Sequence, residues 1–241
     1  MIPLHDDNPT TTTPVLTVGL IVACTVVFFY EFSLGPQVGQ LFVYKYGAIP
    51  AVIFGQESFP PGAMALPASF TLITSMFLHG GLMHLLGNML YLWIFGNNIE
   101  DAMGHVRFLL FYLLCGVIAA MSHAMLDPGS VMPMIGASGA ISGVLGAYLL
   151  LYPRARVLVL VPLGFLFWRM YVPAGFVLGF WFVFQLLSGA ASIGGGGGGV
   201  AWFAHIGGFL AGMFLVGFFK RRLVRFFNPP PHRSSRSYSS W

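Results

Sequence analysis

Charged side chains are what this sequence lacks most: Lys and Arg number 11 and Asp and Glu 7 in 241 residues, 7% together, where a soluble domain carries roughly a quarter. So little charge cannot cover a water-exposed surface. With 57% hydrophobic residues, the shortage excludes a soluble globular domain, a disordered chain and a protein whose main partner is nucleic acid. Cysteine is scarcer still. Cys24 and Cys115 lie inside apolar runs with neither metal nor disulfide spacing, which excludes a secreted disulfide scaffold and leaves them as packing residues. Residues 1–14 have no basic n-region and are rich in Thr and Pro. They are expected to be a flexible tail, and the apolar run after them to be retained rather than cleaved.

The composition belongs to a bilayer, whose roughly 30 Å of hydrocarbon needs about 17 to 25 apolar residues per helix. Runs of this kind cover approximately 15–32, 81–97, 108–125, 136–152, 172–189 and 200–219. They predict an all-α membrane protein, a bundle of six transmembrane helices within 15–220. A seventh run, 157–168, is short and interrupted by Pro162 and Gly164, and is expected to be an apolar loop at the membrane surface. Charge agrees. With an inside N-terminus, Arg107, Arg154, Arg156, Arg169, Lys220, Arg221, Arg222, Arg225, Arg233 and Arg236 all fall inside, and Lys45 alone outside, as the positive-inside rule requires. Both termini are then cytoplasmic. Residues 34–76, with Pro36, Pro50, Pro60, Pro61 and Pro67, are too long for a turn and are expected to be structured or functional. Residues 221–241 form a basic, Pro- and Ser-rich tail, expected to be disordered from Asn228.

Polar residues inside such spans cost free energy unless they are paired or face a cavity, so the few present are informative. His84 and Asn88 share one face of the second span. Ser138 opens the fourth within Gly136-Ala137-Ser138-Gly139-Ala140, and His205 stands near the start of the sixth in Ala204-His205-Ile206-Gly207-Gly208. Spans two, four and six all run from outside to inside, which puts these four residues within about 10 Å of the outer boundary. One serine, two histidines and an amide at one depth suit nucleophilic catalysis. His205 would take the proton from Ser138, while His84, Asn88 and the Ser138 backbone N–H donate to an oxyanion. Gly139 and Gly143 on span four, and Gly208 and Gly212 on span six, give each helix a small-xxx-small face that lets the two backbones approach.

Taken singly, each signal has a plainer explanation. A membrane serine such as Ser122 or Ser142 usually bonds back to its own helix, and Gly-xxx-Gly usually means packing. The stretch around Ser138 also fails the G-x-S-x-G elbow, since position 140 is Ala. The joint pattern carries the argument. Five positions apart, His79 and His84 would lie about 140° apart around a helix and so on different faces, with no adjacent carboxylate, which is not a zinc-protease pair; no metal and no cofactor are expected. His105 and His123 are expected to be structural, and Glu100 and Asp101 to be interfacial hydrogen-bonding groups.

These motifs resemble the rhomboid family of intramembrane serine proteases. Gly136-Ala137-Ser138-Gly139-Ala140 is similar to the family's nucleophile motif, Ala204 to Gly208 to its catalytic-histidine helix, and His79-Gly80-Gly81-Leu82-Met83-His84-Leu85-Leu86-Gly87-Asn88 to its second-helix signature. The resemblance covers about 15–220. It implies a six-helix rhomboid-like bundle and a Ser138–His205 dyad without an aspartate, with His84 and Asn88 at the oxyanion site. It also implies single-pass transmembrane substrates with small residues near the cut and an easily unwound helix, in a prokaryotic cell (inner) membrane with the active site near the outer face. Many members carry a Trp-Arg pair in the first external loop, whereas residues 34–76 contain neither residue.

Two other functions fit parts of the pattern. A catalytically inactive rhomboid-like binder of transmembrane helices would not need both Ser138 and His205. A histidine-relay transporter predicts broken helices at mid-membrane and internal repeats, and the sequence displays neither. The six glycines Gly194 to Gly199 read either as a linker or as a mobile cap over the site. In the cap reading, Phe180, Trp181, Phe182 and Phe184 on span five form a side wall.

Overall fold

The computed structural model describes residues 1–58, 66–163, 166–192 and 201–228. The glycine run and the end of the C-terminal tail lie outside them. Apolar helices dominate: α1 (Val15–Ser33), α2 (Gly35–Tyr46), α3 (Pro50–Ile53), α4 (Ala68–Thr74), α5 (Leu82–Tyr91), α6 (Asn97–Met103), α7 (His105–Ala124), α8 (Ser138–Leu151), α9 (Ala174–Ser192) and α10 (Trp202–Phe219). A π turn at Leu92–Gly96 joins α5 to α6 as one rod. That rod follows the stretch Ala68–Phe77 at a bend of 84°. Helices α1, α7, α9 and α10 are each long and apolar enough to cross a membrane, and the bent pair supplies a fifth span. The remaining expected span is α8, 14 residues long, which at 1.5 Å per residue covers only about 21 Å.

Helix α8 is the centre of the molecule. Eleven of its fourteen residues are buried, so it is apolar all round rather than striped, as an enclosed helix must be. Helix α10 packs along it glycine to glycine. A Cβ on Gly212 would lie 2.5 Å from the carbonyl carbon and Cα of Gly143, and one on Gly208 would be 3.0 Å from the carbonyl carbon of Gly139. Both are closer than side chains tolerate, so the two backbones are in direct contact. Helix α7 fills the third side, with Cys115 against Gly143 and Ala119 against Gly139. Cys24 and Cys115 are free and fully buried.

The end of the bundle away from Ser138 carries a feature that the sequence reading does not contain. Strands β1 (Ile2–Asp6), β2 (Arg156–Leu163) and β3 (Leu166–Pro173) form an antiparallel sheet in the order β1-β2-β3. The expected surface loop 157–168 is therefore most of a hairpin, and the expected flexible tail 1–14 begins with a paired strand. The cause is local. Val157 and Val159 point into the core and are fully buried, and β1 pairs across them with Asp6 opposite Val157. Asp6 accepts hydrogen bonds from Tyr148 (2.6 Å) and Asn98 (2.9 Å), and Asp7 binds the Arg156 backbone and guanidinium at 2.7 and 2.8 Å. Thr11 and Thr12 donate to Asp101. Glu100 accepts from the N–H groups of Leu16 and Thr17 and from His105, so α6 satisfies the open first turn of α1. These are the hydrogen-bonding roles expected of Glu100 and Asp101. At the other terminus the Phe227 and Asn228 N–H groups bond to Leu150 and Leu151, so residues 221–228 dock on the bundle.

The described parts of the long connection, 34–58 and 66–76, are structured, through α2, α3 and α4, while Pro60 and Pro61 lie outside the described residues. The connection is held by Thr74 donating to the Tyr46 carbonyl at 2.6 Å, by an isolated bridge between Ala48 and Met134, and by the Ala51 N–H on Ser130.

Candidate active site

Ser138 occupies the first position of α8, where backbone N–H groups have no intrahelical partner. The chain reaches it through Gly136, whose φ of +123° is one that side-chain-bearing residues rarely adopt. Its N–H is fixed by Ser75 at 2.9 Å. A Cβ at Gly136 would meet the Cε1 and Nε2 atoms of His84 at 2.8 Å and lie 3.7 Å from Ser138 Oγ. Glycine is thus required twice, for conformation and for the close approach of the His84 ring beside the serine.

His205, in the first turn of α10, faces Ser138 Oγ through Nε2 at 2.8 Å. The glycine contact between α8 and α10 permits that distance. Its other ring nitrogen, Nδ1, lies 2.8 Å from Gln185 Oε1 on α9. Trp181 and Trp202 flank the imidazole, with ring centroids at 6.0 and 6.4 Å. Asn88 is buried one helical turn beyond His84, and its Nδ2 is a buried donor without a partner among the described residues. A cavity of about 40 Å³ adjoins the serine, lined by small groups including Gly136, Gly116, Ala119 and Ala201 together with Met76. Ser138, His205 and His84 thus converge around one point, with Asn88 on the same helix as His84.

The other candidates make no contact with Ser138 Oγ in the hydrogen bonds of the described residues. Ser142 bonds back to the Ser138 carbonyl and Ser122 to the Ile118 carbonyl, the self-bonding expected of membrane serines. His105 is paired with Glu100, and His123 lies against Phe203. His79 is not on α5: it sits in the extended loop before it, with Nδ1 3.3 Å from the Phe77 carbonyl and its ring packed edge-on against His84 at 5.2 Å. The helical spacing argued for His79 and His84 therefore does not apply. Among the described residues no three His, Cys, Asp or Glu side chains are grouped as a metal site. Of the α9 aromatics, Trp181 and Phe182 pack on Phe209 of α10, Phe184 packs edge-on to Trp202, and Phe180 is exposed.

Gln185 is the residue that the sequence reading passes over. Its signal is that it is the one amide in the span, which besides it holds only serine as a polar side chain.

Fold and site define a polytopic helical membrane protein with a part-buried Ser–His contact between two glycine-packed helices. The Rhomboid domain matches residues 67–222. The chain belongs to the rhomboid family. It is 36% identical over 157 residues to Rhomboid protease GluP of Bacillus subtilis, covering 64% of this chain and 28% of that protein. It is 35% identical over 148 residues to RHOMBOID-like protein 4 of Arabidopsis thaliana, 61% of this chain and 33% of the relative. Rhomboid-like protease 5 of Toxoplasma gondii is 35% identical over 167 residues, 66% of this chain and 17% of the relative. The chain thus matches a third or less of the length of these proteins.

Proposed function

We propose that this protein is an intramembrane serine endopeptidase that cleaves peptide bonds in or near transmembrane segments of other membrane proteins. The observation that carries the reading is the 2.8 Å contact between Ser138 Oγ and His205 Nε2, a nucleophile within reach of its base. His205 takes the hydroxyl proton as Ser138 Oγ attacks the scissile carbonyl carbon. The resulting oxyanion is held by the Ser138 N–H, by His84 and by Asn88, whose buried Nδ2, without a partner among the described residues, suits a donor kept for a charge that appears only during reaction. Collapse expels the amine, which receives the proton from His205, and water then hydrolyses the acyl ester by the same steps. The small cavity beside Ser138 suits a small side chain next to the cut. An amide inside an intact helix is shielded, so the substrate must unwind locally, which favours single-pass segments with helix-weakening residues.

The cation distribution supports cytoplasmic termini and a site near the outer face of a prokaryotic cell membrane. The test is cleavage of a single-pass transmembrane substrate by purified protein in proteoliposomes. Cleavage by the parent and none by Ser138→Ala supports the reading. No cleavage of any transmembrane substrate by folded parent protein favours the inactive helix-binding alternative.

A further inference from the structure

We propose that Gln185 is a positioning residue that selects the His205 tautomer competent to act as base, and that it ties that tautomer to the seating of α9. The proposal rests on the reading of Ser138 and His205 as nucleophile and base. A neutral imidazole carries one proton on two nitrogens, and the hydrogen bond at one nitrogen decides what the other can do. Here Nδ1 faces Gln185 Oε1 at 2.8 Å and Nε2 faces Ser138 Oγ at 2.8 Å. A carbonyl oxygen only accepts, so the proton resides on Nδ1, and Nε2 presents its lone pair to the serine hydroxyl. The opposite tautomer would place two acceptors face to face at Nδ1 and leave Nε2 a donor, unable to deprotonate Ser138. When His205 gains the second proton, the Nδ1–H bond to Gln185 persists, so the ring need not turn between the two halves of the reaction.

Gln185 is well placed for this work. It is 4% exposed, in a setting where an unpaired amide is costly. Trp181, one turn earlier on the same face of α9, packs over both His205 and Phe209. One helix therefore supplies both the acceptor and the wall that fixes the imidazole plane. A dyad without a carboxylate gains the orienting function of a third residue without burying a second charge. It also follows that moving α9 aside opens the Nδ1 bond, so full basicity towards Ser138 returns only when the helix is seated.

The variants are Gln185→Leu, which removes the acceptor, and Gln185→Glu, which restores one with charge, each measured beside Ser138→Ala on a transmembrane substrate. Gln185→Leu is expected to lower kcat about 10- to 100-fold, the range for loss of a ligand-orienting partner, with KM near the parent's. The His205 ring-nitrogen NMR shifts should move from a single Nδ1–H tautomer to a mixture. Gln185→Glu is expected to retain more activity than Gln185→Leu and to move the acid limb of its kcat/KM profile to higher pH by about one unit or more, because a carboxylate favours the imidazolium. Parental kcat and an unchanged tautomer in folded Gln185→Leu overturn the proposal while leaving the dyad intact. If Gln185→Leu does not fold, an acid limb at the parental pH in Gln185→Glu overturns it. Cleavage persisting in Ser138→Ala overturns the dyad reading itself.

Discussion

Replacing Gly212 by Ala tests whether the glycine contact between α8 and α10 sets the Ser138–His205 distance. The added Cβ would lie 2.5 Å from the carbonyl carbon and Cα of Gly143, against about 3.5 to 4.0 Å for carbon atoms in comfortable contact. The helices must therefore separate by about 1 Å or more, and the obstruction is backbone, which cannot rotate away. Gly212 is seven residues, or about 10 Å, along α10 from His205, so the separation reaches the site as a shift or a tilt. The 2.8 Å contact has little slack, since a hydrogen bond to oxygen is largely lost beyond about 3.2 Å. A misplacement near 1 Å costs on the order of a hundredfold in rate, and overpacking a close-packed core costs about 1 to 3 kcal/mol of stability. The control is Gly179→Ala on α9, where an added Cβ meets nothing within 4 Å. Turnover of a transmembrane substrate and the thermal unfolding midpoint are measured for both. Gly212→Ala is expected to lose about a hundredfold in kcat while Gly179→Ala keeps parental activity. Parental kcat in folded Gly212→Ala would refute the claim that this packing sets the catalytic distance.

His84→Ala and Asn88→Ala should each lower kcat about a hundred- to a thousandfold, the usual cost of one oxyanion donor. A change confined to KM contradicts the assigned role. At the other end of the bundle, burial pushes the Asp6 carboxyl up to about 6, against the opposing pull of the Tyr148 hydrogen bond and the nearby His5. Because this value lies above the ordinary 3.8, the contribution of Asp6 to docking β1 is complete below about pH 4 and is lost as the pH rises through 6, a difference of about 3 kcal/mol at most. Limited proteolysis within residues 7–14 should therefore be faster at pH 7.5 than at pH 5, and Asp6→Asn should remove the part of that dependence that Asp6 carries. Identical pH dependence in the two proteins contradicts the assignment.

Spans were legible wherever length and apolarity alone decide them, as in α1, α7, α9 and α10. The start of α8 was legible too: the apolar run begins at 136 and the helix at Ser138, two residues on. The sheet was not. Val157, Leu158, Val159 and Leu160 are all apolar, so β2 lacks the polar alternation that marks a half-buried strand, and its partner Ile2–Asp6 lies some 150 residues away in sequence. Pro162 and Gly164 point to a loop, whereas Pro162 lies within β2, paired with Phe167, and Gly164 lies outside the described residues. In the site, residue types and shared depth brought Ser138, His205, His84 and Asn88 together as candidates. The contact distances depend on side-chain directions and helix rotation, which spacing does not fix. His79 shows the limit in the other direction: helical counting assumed a helix that begins only at Leu82.

The central claim is that Ser138 is a nucleophile activated by His205, and the most direct measurement is labelling of the purified, folded protein with a fluorophosphonate, mapped to a residue by peptide mass analysis. A single adduct on Ser138 is predicted for the parent, with none in Ser138→Ala and none in His205→Ala. Labelling that maps to another serine, or that persists undiminished in Ser138→Ala, would contradict the account.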